Sequence, residues 1–132
     1  MINVVGGSGF IGSAICRRLS KLCPNSFQIF DKNQSIFFSE KVMIADIRNI
    51  RSLDASLSEG GQIINLAAEH RDDVSPVSLY QDVNVCGAVN LCNVARNKNI
   101  NTIVFTSSIA VYGFAKINTN ESGKINPYSI KY

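Results

Sequence analysis

The sequence contains one histidine, His70, and four cysteines, Cys16, Cys23, Cys86 and Cys92, with no Cys-x-x-Cys pair. A zinc site would have to gather three or four cysteines from separate segments, and none is expected. The expectation is four reduced thiols acting as small, partly buried hydrophobes in a cytoplasmic protein. Positive charge is thin as well. A formal net charge of +3 is carried by scattered Lys and Arg residues. There is no basic stripe, so nucleic acid is not an expected partner. No apolar run nears the roughly 20 residues that span a bilayer, and a membrane is not expected either. Met1 leads straight into "INVV" without the flanks of a signal peptide, which again predicts a cytoplasmic location.

What is present is ordinary globular material. A chain of 132 residues with 45% hydrophobic content can build one core and is too short for two. Its hydrophobic period alternates between strand and helix. Strands are expected at 2–5, 27–31, 41–45, 62–67 and 102–107. The first helix is predicted from Phe10 to Leu22, with Ile11, Ala14, Ile15, Leu19 and the stem of Arg18 recurring at helical spacing. A second helix is predicted over 48–58, burying Ile50, Leu53, Ala55 and Leu57. A third runs from Ser75-Pro76 to about Lys98, with serine as cap and proline in the first turn. Tyr80, Val83, Gly87, Leu91 and Val94 line one side of it. Beyond Gly113 the chain reads as loop. Strands alternating with helices predict a doubly wound parallel sheet of the Rossmann type, order 3-2-1-4-5, with a flavodoxin-like order as the alternative.

The first strand ends in "GGSGFIG", so Gly6, Gly9 and Gly12 stand three apart between strand and helix. Gly6 permits a tight turn, Gly9 a close approach of pyrophosphate, and Gly12 close packing of helix on sheet. Phe10 and Ile11, in the same turn, are counted with them as cofactor contacts, because a helix start offers free N–H groups to phosphate. Asp31 closes the second strand, 19 residues after Gly12. At that place a carboxylate accepts the ribose hydroxyls and repels a 2′-phosphate, which argues for NAD over NADP. Lys32 beside it weakens the repulsion.

Five stretches together resemble the amino-terminal part of an extended short-chain dehydrogenase/reductase, in the NAD-dependent epimerase/dehydratase family that acts on nucleotide sugars. They are "VVGGSGFIGS", the strand-end Asp31, "ADIRN", "NLAAEHRDDV" with "VNVCGAVNL", and "FTSSIAVYG". The resemblance implies that Asp46 and Ile47 hold the adenine, and that Leu66, Ala67 and Ala68 form a strand end passing close to the cofactor. It implies that Asn84 reaches the cofactor region and that Ser108 is the catalytic hydroxyl. His70 lies beside that segment and reads as a surface loop residue. Pairing of two copies through helix 75–98 is implied too, with a nucleotide sugar as substrate.

In this family a tyrosine removes the sugar hydroxyl proton, and a lysine four residues later lowers its pKa. The chemistry demands the lysine, since an unperturbed tyrosine near pKa 10 is a poor base at neutral pH. "NPYSIKY" offers Tyr128 as the base, but position 132 is Tyr132 and Lys131 comes one residue early. The expectation is therefore a single NAD-binding domain, 1–132, truncated before its substrate domain and inactive by itself. A non-catalytic dinucleotide-binding fragment or an interaction module is the alternative.

Overall fold

In the run Ile2–Val5 (β1), successive side chains enter different cores, as a parallel strand covered on both faces requires. Val4 packs with Phe27, Ile29 and Cys16 on one face. Val5 packs with Phe30, Ile63, Leu53 and Leu91 on the other. The computed structural model describes residues 1–127. Around β1 lie Phe27–Asp31 (β2), Val42–Ile44 (β3), Gln62–Asn65 (β4) and Thr102–Phe105 (β5). All pairings are parallel and the order is β3-β2-β1-β4-β5. The doubly wound Rossmann order holds and the flavodoxin-like one does not.

The helices cover the sheet from both sides. Phe10–Leu22 (α1) buries Gly12, Ser13 and Cys16. This corrects the expected stripe, since Ile11, Ala14 and Arg18 are exposed. Gly12 brings the helix so near the turn that only small residues fit the closest face, and the aliphatics move to its flanks. Ile50–Ser56 (α2) is shorter than expected, because Asn49 caps it by accepting the N–H groups of Arg51 and Ser52. Its buried side is Leu53 followed by Leu57, while Ile50 and Ala55 are exposed. The third helix is assembled from three pieces: Ser78–Tyr80 (α3), a π-helical turn Gln81–Cys86, and Gly87–Asn97 (α4). Ser75 does not cap it. The N-cap position is Val77, which brings no side-chain bond. The preceding residues are used instead in tight turns, where Leu79 N–H donates to the Pro76 carbonyl and Tyr80 N–H to that of Val77. Tyr80, Gly87, Leu91 and Val94 are buried as expected.

β3 is three residues long, with Lys41 in a 3₁₀ turn before it and Ala45 buried after it. β5 also falls short of the expected 102–107. Among the described residues β5 has one strand neighbour, β4, and Val104 and Phe105 are 52% and 61% exposed. The cysteines divide: Cys16 is buried and Cys23 half-buried, whereas Cys86 and Cys92 are exposed on the long helix, contrary to expectation. Burial pushes the Cys16 thiol up to about 11, so it stays protonated and packs as a hydrophobe.

Candidate functional site

The turn after β1 is shaped by glycines with different reasons to be glycine. Gly6 has φ +78° and donates its N–H to the Phe30 carbonyl at 2.8 Å. A Cβ there would lie 2.7 Å from the Ala67 nitrogen and 2.8 Å from the Leu66 carbonyl carbon. The turn and the end of β4 are thus in direct backbone contact. A Cβ on Gly12 would fall 2.5 Å from the Gly7 Cα and 2.6 Å from the Gly6 oxygen. Gly9 differs from both. Its φ is −72°, and a Cβ would meet nothing nearer than the Gly6 oxygen at 3.5 Å. Neither conformation nor packing inside the protein requires glycine at position 9. Gly9 is also the N-cap of α1, where no side chain caps the first turn. Phe10 and Ile11, next to it, are 94% and 55% exposed.

Asp31 ties this turn to the end of β2. One carboxylate oxygen accepts the Ser8 N–H at 3.0 Å and the other accepts the Asn33 N–H at 2.9 Å. The Ser8 hydroxyl donates to the Asn33 carbonyl at 2.9 Å, closing the link. The roles of Ser8 and Asn33 are absent from the sequence reading. A short polar residue inside the glycine turn was the available signal.

Asp46 lies past β3, brought beside Asp31 by the hydrogen bond from Ala45 N–H to the Asp31 carbonyl. Its carboxylate is gripped by Arg48: Nη2 at 2.6 Å, Nε at 3.0 and 3.1 Å, and the backbone N–H at 2.9 Å. Side-chain hydrogen bonding by Arg48 holds the Asp46 carboxyl below the usual carboxylate range, opposed by partial burial. The backbone N–H and positive charge of Arg48, and more distantly Lys32, act in the same direction as the grip. A folded-state pKa below the unfolded one stabilises the protein above the unfolded value, about 4, and that gain fades as pH falls through the folded value. Arg48→Met should lower the thermal midpoint at neutral pH, and the gap should shrink as the pH falls below the ordinary carboxylate range. Both side chains are about a third exposed or more, so the effect should stay below about 1 kcal/mol. Melts of both proteins across pH test this. A gap that is constant with pH would exclude the ion pair as its cause.

Ile47 lies deeper than its neighbour Asp46. Its side chain is 6% exposed and packs against the Cα side of Gly87, where a Cβ would lie 2.8 Å from Ile47 Cγ2. Its carbonyl accepts from Asn90 Nδ2 at 3.2 Å. The side chain therefore packs in the core.

After β4, Asn65 is buried and its side chain accepts the Ala67 N–H at 3.2 Å. Leu66 and Ala67 are half-buried and packed on opposite cores, while Ala68 and His70 are exposed. Asn84 sits in the π-helical turn and binds both backbone groups of Glu69. Its Oδ1 accepts the N–H at 2.8 Å and its Nδ2 donates to the carbonyl at 2.9 Å. Tyr80 donates its hydroxyl proton to the Arg71 carbonyl. The asparagine thus holds the loop that follows β4.

At the end of β5, Thr106 donates through its backbone N–H and its hydroxyl to the Asn65 carbonyl, at 3.3 and 3.1 Å. Ser108 is exposed and caps the 3₁₀ turn Ile109–Tyr112, accepting the Ala110 N–H at 3.2 Å. A hydroxyl that accepts one bond still has its proton to give. Tyr128, the expected base, lies outside the described residues, as do Lys131 and Tyr132. One tyrosine does have lysine four residues on, namely Tyr112 with Lys116. The sequence reading passed over it. Gly113, at φ 59° and ψ −135°, ends the turn between them, so the two do not share a helical face.

The turn, Asp31, Asp46, the 66–68 segment and Ser108 all lie at the carboxyl ends of parallel strands, where doubly wound folds bind ligands. The chain is 42% identical over 128 residues to an N-acetyl-alpha-D-glucosaminyl-diphospho-ditrans,octacis-undecaprenol 4-epimerase of Escherichia coli O157:H7, covering 96% of this chain and 38% of that protein. A crystal structure of a UDP-galactose 4-epimerase superposes with a TM-score of 0.82 at 27% identity, over 96% of this chain and 44% of the other. The fold is shared with the UDP-glucose 4-epimerase of Thermus thermophilus in complex with NAD, at TM-score 0.83 and 23% identity, over 97% and 45% of the two chains. The chain thus spans less than half the length of these relatives. The model of the NAD dependent epimerase/dehydratase family matches residues 2–131, and the chain belongs to that family.

Proposed function

We propose that this chain holds NAD across the carboxyl ends of β1, β2 and β4, as the cofactor-binding part of an epimerase acting on diphosphate-linked sugars. Gly9 carries this reading. The fold leaves room for a side chain there, so the demand for glycine comes from something that must approach the backbone. A pyrophosphate over the uncapped first turn of α1 is such a group. Asp31 takes the adenosine ribose with the lone pairs its two backbone bonds leave over. Asp46 accepts the adenine amino group through a carboxylate that Arg48 holds in place. Asn84 acts at one remove, fixing the loop at the end of β4.

NAD held there would supply reversible hydride exchange with a sugar carbon. The chain's own part is to bind and to orient. Ser108 donates its hydroxyl proton to the sugar oxygen that loses hydrogen, with its own oxygen fixed by the Ala110 N–H. Epimerisation is favoured over dehydration or reduction because the relatives above are 4-epimerases. Calorimetry with Asp31→Ala tests the cofactor reading. Affinity for NAD should fall by about 1.5–3 kcal/mol, the cost of a lost hydrogen bond to a charged group. Equal affinity in both proteins would overturn the assignment, and tighter binding of NADP than NAD by the parent would reverse the cofactor choice.

A further inference from the structure

The segment between β2 and β3 displays two large apolar side chains and pins the chain on either side of them. Ser35 is 3% exposed, and its hydroxyl oxygen accepts the N–H groups of Phe37 and Phe38 at 3.3 and 3.2 Å. Phe38 turns inward onto the core and meets the Phe27 ring edge-on at 6.1 Å. Between these anchors Ile36 is 92% exposed and Phe37 59% exposed. Their exposure is built into the turn. The Arg17 guanidinium lies 5.2 Å from the Phe37 ring, so the tip reaches the outer side of α1. That helix carries Arg17, Arg18 and Lys21 and no acid, Lys32 opens the loop, and Glu40 is the one acid in 32–41.

We infer that the Ile36–Phe37 tip, with the cations of α1, docks on an anionic membrane surface. Apolar side chains beside lysine and arginine form the two-part signal of an interfacial anchor: the first enters the acyl boundary and the second meets the headgroups. This gives a membrane a role that the lack of a spanning segment had ruled out, since lying on a bilayer needs no span. The purpose of docking rests on the reading that the substrate is a diphosphate-linked sugar. The E. coli relative's name couples the diphosphate to undecaprenol, and so long an apolar chain stays in lipid. An enzyme working on such a diphosphate meets it at the headgroup plane.

The test is co-sedimentation of the full chain with vesicles containing phosphatidylglycerol, against vesicles of phosphatidylcholine alone. The parent should bind the anionic vesicles, more weakly as salt rises. The double variant Ile36→Ser/Phe37→Ser should bind about tenfold or more weakly, and Arg17→Gln/Lys21→Gln should lose the preference for anionic lipid. Thermal midpoints and NAD affinity, measured alongside, should match the parent. They report separately on the fold and on the cofactor reading, so failure of either is distinguishable from failure of docking. No binding by the parent, or undiminished binding by the Ser/Ser variant, overturns the inference. So does concentration-dependent dimerisation abolished by Ile36→Ser/Phe37→Ser without vesicle binding, which would assign the tip to a second copy.

Discussion

Gly12→Ala should unfold well below the parent's thermal midpoint, whereas Gly9→Ala should melt close to the parent and lose NAD. The two glycines differ by one side-chain atom's worth of room. At position 12 the new methyl would sit 2.5 Å from the Gly7 Cα and 2.6 Å from both the Gly6 oxygen and the Gly7 carbonyl carbon. These are backbone atoms, so no rotamer change relieves the clash, and α1 has to move off the sheet. Overpacking of this kind costs about 1–3 kcal/mol and more when backbones must separate. The better helix propensity of alanine returns at most about 1 kcal/mol. The net loss, about 2 kcal/mol or more where the backbones must separate, is a noticeable part of a typical total stability of about 5–15 kcal/mol. At position 9 the methyl has ordinary contact distance and an ordinary φ, so the change should cost no more than alanine's weaker N-cap preference, about 1 kcal/mol or less. If a pyrophosphate approaches that backbone, the same methyl should weaken NAD at least tenfold, about 1.4 kcal/mol. Paired melts and titrations decide it. Gly9→Ala with parental affinity would remove the observation on which the cofactor reading rests.

The strands and their order were legible because parallel strands buried on both faces leave short, mainly apolar runs, such as "INVV" and "QIINLA", set between helical stretches. Helix faces were less so. Periodicity put Ile11 and Ala14 inward, but the close approach at Gly12 turned Ser13 and Cys16 to the sheet instead. Spacing says nothing of Ile36 and Phe37, and it is the turn anchored by Ser35 that turns them to water. The site divides in the same way. Glycine spacing and the strand-end Asp31 are local signals. The Asn84–Glu69 bond spans 15 residues and depends on where the π-helical turn places an amide. Ile47, expected at the cofactor from the resemblance alone, is also part of the core, which spacing did not show. Arg48 stood in plain view in "ADIRN", but a contact at i, i+2 outside a helix is decided by the loop and not by spacing.

The 132-residue polypeptide by itself should not turn over a sugar diphosphate, even with NAD bound. Ser108 is held by the Ala110 N–H and can orient a hydroxyl, but an orienting group does not remove a proton. A tyrosine base near pKa 10 is about a thousandth ionised at neutral pH unless a neighbouring cation stabilises the phenolate. Tyr128 has Lys131 three residues on instead of four. Tyr112 has Lys116 at the right count, but the backbone break at Gly113 separates their faces. Positioning matters at least as much, since holding reactants in attack geometry supplies some 7–11 kcal/mol of barrier reduction. The UDP-galactose 4-epimerase structure matched by this chain extends over more than twice the length covered here. Single-turnover reduction of bound NAD, followed by absorbance, should therefore be silent with UDP-sugars and with a sugar diphosphate bearing a polyprenyl chain. A signal that disappears in Tyr128→Phe would make Tyr128 and Lys131 a working pair. One that disappears in Tyr112→Phe and survives in Tyr128→Phe would instead place the base beside Ser108, on the turn at the end of β5. Either signal would show that the residues at the strand ends complete the reaction centre without the remainder of the relatives' length.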